Sequence, residues 1–327
     1  MVKTKNYRKN ILRLVILFVM VVMASAAYLL IDSKMYNLKL FKYVLGLRVP
    51  TLIVMLIASF AIGAASIIFQ SIINNRIVTP CLLGMNSMYT LVHTAVVFFV
   101  GSGSVFVTNA NLSFAIDLII MGITATFIYG YLFKQTNHNV LYVLLIGTVL
   151  SSFFGSIQST LVRVMDPNEY DTLLVSLVAD FNNVNDAVIV FSLALLVGLA
   201  FALRKELALL DVITLGKDQA VNLGVDYDKT VRKLLLGVVL CIAVATAMVG
   251  PISFLGLIIA NLARQSLKTY RHGFLIIGSA LTGMLAVIGG QLIVEHIFSF
   301  AVPISTFITI GGGIYFLYLL LFKKGGY

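Results

Sequence analysis

The chain of 327 residues has no tryptophan, two cysteines, five prolines and only 11% charged residues. Soluble domains carry about 25% charge, so a fully solvated surface is excluded. Acids are the scarcest charge, with 13 Asp+Glu against 23 Lys+Arg. Low charge in a polar chain would mean disorder, but here 60% of residues are hydrophobic and mean hydropathy is +1.03. Cys81 and Cys241 lie far apart in apolar surroundings and are expected as free thiols, with a disulfide as the alternative. No GxxxxGK[ST] loop is present, so the chain does not hydrolyse nucleotide by that route. HExxH, CxxC and GxSxG are missing as well. The four histidines, His93, His138, His272 and His296, are scattered and are expected in structural or surface roles, with no metal site.

What the chain has is apolar blocks, such as 11–30, 187–203 and 234–249. The longer ones approach the ~20 residues that cross a bilayer core as a helix. They do not alternate, which excludes a transmembrane β-barrel. The expected fold class is all-α, a single polytopic membrane domain over 1–327 with about ten spans. These fall near 11–31, 50–70, 81–100, 112–133, 140–162, 184–203, 233–249, 252–263, 274–289 and 303–322. Span 252–263 is too short to cross without flanking residues, and 274–289 is Gly-rich, tilted or broken. The apolar stretch after the basic start is long for a signal peptide and has no clear cleavage site before Asp32, so a retained first helix is expected.

Ten spans place both termini on one side. With the N-terminus inside, that side holds Lys3, Lys5, Arg8, Lys9, Arg13, Arg76 and Lys134. It also holds Arg204, Lys205, Lys217, Lys229, Arg232 and Lys233, then Arg264, Lys268, Arg271, Lys323 and Lys324. Lys34, Lys39, Lys42, Arg48 and Arg163 remain outside. The net charge of +10 therefore reads as membrane orientation, with both termini cytoplasmic, and not as a nucleic-acid surface.

Three segments carry more than hydropathy. The inner loop 204–233 contains Leu215, Gly216, Ala220, Leu223, Gly224 and Val225. A short helix ending at Gly224, with a left-handed glycine cap, would present its apolar residues to a cleft in a partner. An ordinary solvated connection is the alternative. Before span three, Pro80 suits a helix start, with Gly84 and Asn86 behind it. At Gly250 and Pro251 the apolar run breaks; Pro251 is expected to open a new helix and Gly256 to allow close helix contact. Such a break marks a translocation path or a tight turn. Small pairs such as Ser59 with Gly63 and Ala61 with Ala65 favour close packing. Asp117 is an isolated acid near a span, either a coupling group or a hydrogen-bonded one.

Together and in order, these segments resemble the FecCD-type permease family, membrane subunits of ABC importers for ferric siderophores, haem and cobalamin. The resemblance runs from about Leu47 to Leu320. It rests on Arg48 and Pro50, Gly63, Gln70, Asn74 or Asn75, Pro80, Leu83 and Gly84. The Leu215–Val225 set is the best local match. Gly250, Pro251, Ile252, Phe254, Gly256 and Leu257 follow, then the run at 316–320. Departures from the family pattern are Thr51 for arginine, Ala260 and Asn261 for Pro-His, and Ala301 and Ser305 around Pro303. Gly290 and Val294, beside Glu295, stand where the family has aspartate and arginine.

The resemblance implies a multi-pass protein of the bacterial plasma membrane. Two permeases would pair with the path at their interface, a heterodimer being favoured by the altered C-terminal motifs. Separate cytoplasmic P-loop ATPase subunits would bind ATP and Mg2+, leaving this chain without cofactor or catalytic residue. The 215–225 segment would couple to them. An extracytoplasmic binding protein would dock at Arg48, with Lys42, Lys39 and Arg163 adding charge. Gln70, Asn86, Gln158 and Ser253 are expected to line the path, with Gly250, Pro251 and Gly256 at its break. The outer segment 170–181, including Leu174 and Ser176, is the expected gate. The expected cargo is ferric siderophore, with haem or cobalamin as alternatives. An ion-coupled secondary transporter, using Asp117, is the alternative of another class.

Overall fold

The computed structural model describes residues 2–31, 38–135, 140–179, 181, 186–299 and 302–322. Lys34, His138, Ala301, Lys323, Lys324 and residue 180 of the expected gate segment lie outside the described residues. Among the described residues every regular element is helical.

Helix α1 (Val2–Leu30) is followed by α2 (Leu38–Ile73), a 3-10 turn (Pro80–Leu83) and α3 (Met85–Val100). Short α4 (Val105–Thr108), then α5 (Ala110–Gln135), α6 (Val140–Val164) and α7 (Pro167–Leu177) come next. Helix α8 (Asp186–Ala202) leads into three short helices, α9 (Arg204–Ala208), α10 (Leu210–Ile213) and α11 (Lys217–Asn222). The last four are α12 (Tyr227–Val249), α13 (Leu255–Leu267), α14 (His272–His296) and α15 (Ile304–Phe322).

Six of these, α1, α2, α5, α6, α12 and α14, are long and apolar enough to cross a membrane. Helices α3, α8 and α15 are shorter apolar ones. Helix α13, at 13 residues, spans only about 20 Å. The expected segment 50–70 proves to be the inner part of a 36-residue helix about 54 Å long. Pro50 sits inside that helix and removes the donor that would reach the Gly46 carbonyl. Pro251 does not open α13. Residues 250–253 are non-helical, and the helix starts at Leu255 after Phe254 takes a left-handed φ of 62°.

The centre of the bundle is α2. Of its most apolar stretch 83% is buried, against 11% for α1 and for α6. It packs on α14 and α12, with α13 beside them. Lipid tails are as apolar as leucine, so helices in a bilayer associate mainly through close packing of small residues. The contacts obey this rule. A Cβ at Gly63 would come within 3.0 Å of the Ser279 backbone carbon, and Ser279 Oγ donates to the Gly63 carbonyl at 3.2 Å. One turn either way, Ser59 faces Gly283 and Ser66 faces Gly256.

Contacts also sort the two ends of the bundle. At one end Tyr7 meets Phe274, Arg13 donates to the Ser266 carbonyl, and Gln265 meets Tyr315. This end holds the start of α1, the later part of α15 and the 204–233 segment, the basic side of the sequence. The other end gathers Tyr28, Arg48, Val178, Glu295 and Pro303.

Gly63→Ala should therefore lower the thermal midpoint of the purified protein, by about 1–3 kcal/mol of overpacking. Gly130→Ala, in a helix interior where nothing lies within 4 Å, should leave it unchanged or raise it. Equal effects of the two, read by thermal unfolding in detergent, would disprove the close-approach argument.

Candidate functional site

At the basic end, α11 begins after Gly216, whose φ is 99°, and ends in a left-handed glycine, Gly224, at 80°. Val225 N–H bonds the Ala220 carbonyl at 3.0 Å and Gly224 N–H bonds the Val221 carbonyl at 2.9 Å. This pair of bonds is a Schellman cap, which fixes the helix end without tertiary help. Ala220 is fully buried beneath the helix, while Leu215, Val221 and Leu223 are 51%, 53% and 64% exposed. Leu215 just before the short helix, Val221 on it and Leu223 at its end form an exposed apolar trio.

Four polar ties hold that segment to the bundle. Asp211 accepts from the His272 backbone N–H at 2.9 Å and meets His272 Nδ1 at 2.5 Å, linking α10 to α14. Lys233 donates to Glu206 at 2.5 Å, linking α12 to α9. That bond holds the Glu206 carboxyl below its ordinary range. Lys217 bonds Asp228 at 3.1 Å, and Asp226 caps α12 through the Lys229 N–H at 3.1 Å. Leu210 and Ile213 of α10 are buried, and α10 packs on α2. The α9–α11 segment is thus in direct contact with α2, α12 and α14.

Gln70 is not on an open wall. It is 1% exposed, donates to the Arg76 carbonyl at 2.9 Å and accepts from Arg264 Nε at 3.3 Å. Asn261 donates to the same Arg76 carbonyl at 3.0 Å. Asn74 ends α2 with a φ of 52°, a left-handed cap on asparagine. The matching residues of α2 and α13 therefore clamp the two helices together where a lining role was expected.

Gly250 turns the chain at a φ of 90°, and a Cβ there would lie 2.9 Å from the Ala179 Cα. Ser305 Oγ donates to the Ala179 carbonyl at 3.1 Å. The 250 turn and the start of α15 thus hold the end of the expected gate segment. On that segment Leu174 is exposed, and Ser176 is half-buried and bonds the Leu173 carbonyl. Half-buried Ser253 lies 3.4 Å from buried Asn86. Pro251 is half-buried, and Gly256 packs on Ser66. Gln158 is half-exposed on α6. Next to it Thr148, Ser152, Ser156 and Thr160 form an exposed hydroxyl stripe at four-residue spacing. Ser152, Ser156 and Thr160 each donate to the carbonyl four residues earlier, which satisfies them in apolar surroundings.

At the opposite end Arg48 was expected as an outward cation. Its charge is already engaged. It pairs with Glu295, donates to the Tyr28 and Ile31 carbonyls at 2.5 and 2.7 Å, and is 13% exposed, as is its partner. The pair lines a cavity of about 660 Å³ with Tyr28, Thr51, Gln291 and Pro303. Lys42 and Arg163 are exposed, on the outer parts of α2 and α6. Asp117 meets His93 Nδ1 at 2.7 Å between α5 and α3, and both are buried. Among the described residues no cluster of metal-ligating groups occurs. Sequence reasoning missed the partners of Arg48, Asp117, Asp211 and Glu206, because each lies on another helix at no characteristic spacing.

The chain matches the model of the FecCD transport family over residues 11–322. It is 39% identical to the petrobactin import system permease protein YclO of Bacillus subtilis, over 88% of this chain and 91% of that one. It is 29% identical to the petrobactin import system permease protein FatC of Bacillus anthracis, over 85% and 78%. It is 28% identical to the iron-uptake system permease protein FeuC of Bacillus subtilis, over 92% and 89%. A solved inward-facing metal-chelate type ABC transporter shares the fold at a TM-score of 0.78 and 20% identity, covering 95% of this chain and 99% of that chain.

Arg48→Ala and Glu295→Ala should each destabilise the protein by about 1–3 kcal/mol, because each strands the other charge. The double variant should cost less than the sum, with a coupling of about 1–2 kcal/mol in a double-mutant cycle of thermal unfolding. Strict additivity would mean that the two groups do not hold each other.

Proposed function

The chain belongs to the FecCD transport family, and from that premise we propose that it is the permease subunit of an ATP-driven importer of ferric siderophore. The observation that carries the mechanism is the exposed apolar trio Leu215, Val221 and Leu223 on and flanking a capped helix whose segment is tied to α12 and α14. The chain has no nucleotide-hydrolysing loop, so the energy must enter by contact. A cytoplasmic ATPase subunit, carrying ATP and Mg2+, seats that helix in a cleft. Closure of two such subunits moves it, and the ties to α10, α12 and α14 carry the motion into the bundle.

A second permease completes the path. Helix α6 is scarcely buried within this chain, and its hydroxyl stripe supports a wall facing a wet, wide channel, with Gln158 at its edge. A heterodimer is favoured, because the segments around Asn261 and Pro303 depart from the family pattern. An extracytoplasmic binding protein delivers the cargo. Lys42 and Arg163 are the exposed cations that steer it, since rim charges act on encounter and orientation. Arg48 positions the outer part of α2 through Glu295. Two relatives are named for petrobactin, which makes ferric petrobactin the first cargo to test. Asp117, the candidate of the ion-coupled alternative, has the hydrogen-bonded role as its simpler reading, since it pairs with buried His93.

Uptake of iron-55 petrobactin should require both this gene and ATP. Haem or cobalamin uptake that depends on the gene while iron uptake does not would replace the siderophore. Gene-dependent uptake driven by membrane potential alone would overturn the ATP-driven reading. Leu215→Asp and Leu223→Asp should leave the thermal midpoint unchanged. Each should lower ATPase co-purification and uptake about tenfold or more; retention of both activities would sink the coupling assignment. Ser152→Leu with Ser156→Leu should lower uptake while ATPase binding persists, and undiminished uptake would remove α6 from the path.

A further inference from the structure

Five exposed cations gather where α8 reaches the cytoplasmic surface: Arg204 and Lys205 on α9, and Lys229, Arg232 and Lys233 on α12. The last three are spaced by three and four residues and share one face of their helix. The two elements are pinned side by side. A Cβ at Gly237 would lie 2.3 Å from the Leu203 side chain, so α12 receives the end of α8 directly. One turn away Lys233 bonds Glu206.

No nearby acid forms an ion pair with the other four. Glu206 is engaged by Lys233, Asp228 bonds Lys217, and Asp226 accepts from the Lys229 backbone N–H. Among the described residues Arg204, Lys205, Lys229 and Arg232 make no side-chain hydrogen bond or ion pair. Lys205 lies close enough to Glu206 to contribute to lowering its carboxyl. Orientation alone needs basic residues on this side, but not four uncompensated ones on two elements locked together.

Leading into the cluster along the chain, α8 presents Val190, Leu193, Val197 and Phe201 at spacings of three and four residues. They are 71%, 51%, 48% and 69% exposed. An apolar strip that ends in a cationic cluster has the chemistry of a phospholipid, with tails above and phosphate below. An acidic protein surface would match the cations alone. A phospholipid would match the cations and the strip together.

We infer that Arg204, Lys205, Lys229 and Arg232 bind the headgroup of an anionic phospholipid in the cytoplasmic leaflet, its acyl chains lying on α8. The bound lipid holds α9, and through it the α10–α11 segment, at a fixed height on the membrane. The site goes beyond the importer assignment and stands without it.

The test uses the detergent-purified permease with its ATPase, stripped of lipid. Phosphatidylglycerol or phosphatidylcholine is added back, and retained lipid is counted by native mass spectrometry. Wild type should retain phosphatidylglycerol preferentially. Arg204→Gln with Lys205→Gln, and Lys229→Gln with Arg232→Gln, should each weaken that preference by about fivefold per cation removed. Lys39→Gln with Lys42→Gln, at the other end, should not. All these side chains are exposed, so an unchanged thermal midpoint in phosphatidylcholine serves as the folding control. Unchanged preference in both cytoplasmic double variants would overturn the site. Displacement of the lipid by millimolar inorganic phosphate would reassign it to a free anion. Loss of ATPase binding with lipid retention intact would reassign it to the ATPase surface.

Discussion

The close approach of α2 to α13 and α14 is the constraint on which the other features depend. Ser59, Gly63 and Ser66 occupy one face of α2 and meet Gly283, Ser279 and Gly256. With no hydrophobic drive between helices in lipid, this seam of small residues is what allows the three backbones to pack as a unit. The seam also sets what happens at either end. At the cytoplasmic end it brings Gln70 and Ser71 under Arg264 and Asn261. At the outer end it brings Arg48 to Glu295. Both polar ties are drawn from helices that the seam has already aligned, so each adds register to a contact made by shape.

The bundle is closely packed along α2 and α12 and lightly partnered elsewhere. Helices α1 and α6 bury only 11% of their apolar stretches, whereas α2 and α12 bury 83% and 72%. Helix α11 adjoins α10, which rests on α2 and carries Asp211, the residue that holds the first residue of α14. The lightly packed helices are then the ones free to move against a partner or against lipid. That division follows from the distribution of small residues, and it matches the demands of alternating access without a separate hinge domain.

Hydropathy made the helices legible, since it expresses the bilayer directly. Local glycine chemistry was legible too. The cap at Gly224 and the contact at Gly256 appear where the residues suggested, because each depends on a few neighbours in sequence. Three readings failed for reasons of range. Pro251 sits in an extended link, as Phe254 absorbs the turn in a left-handed conformation that sequence does not advertise. Pro50 lies within a helix, because lost donors are tolerated where neighbours pack around the bend. Arg48 looked free because its partner Glu295 is 247 positions away.

The Arg48 pair changes how the outer face works. A basic residue aimed at solvent would act on encounter and be screened by salt. One tied to Glu295 and to two carbonyls at the end of α1 acts first on the geometry of its own chain. It fixes the outer segment of α2, which projects beyond Pro50 and carries exposed Lys42. Exposed Lys42 thus sits on the same helical segment that Arg48 holds to α14. Because α14 also receives the Asp211 tie at its opposite end, the Arg48 pair and the α10–α11 segment are joined by a single long apolar helix.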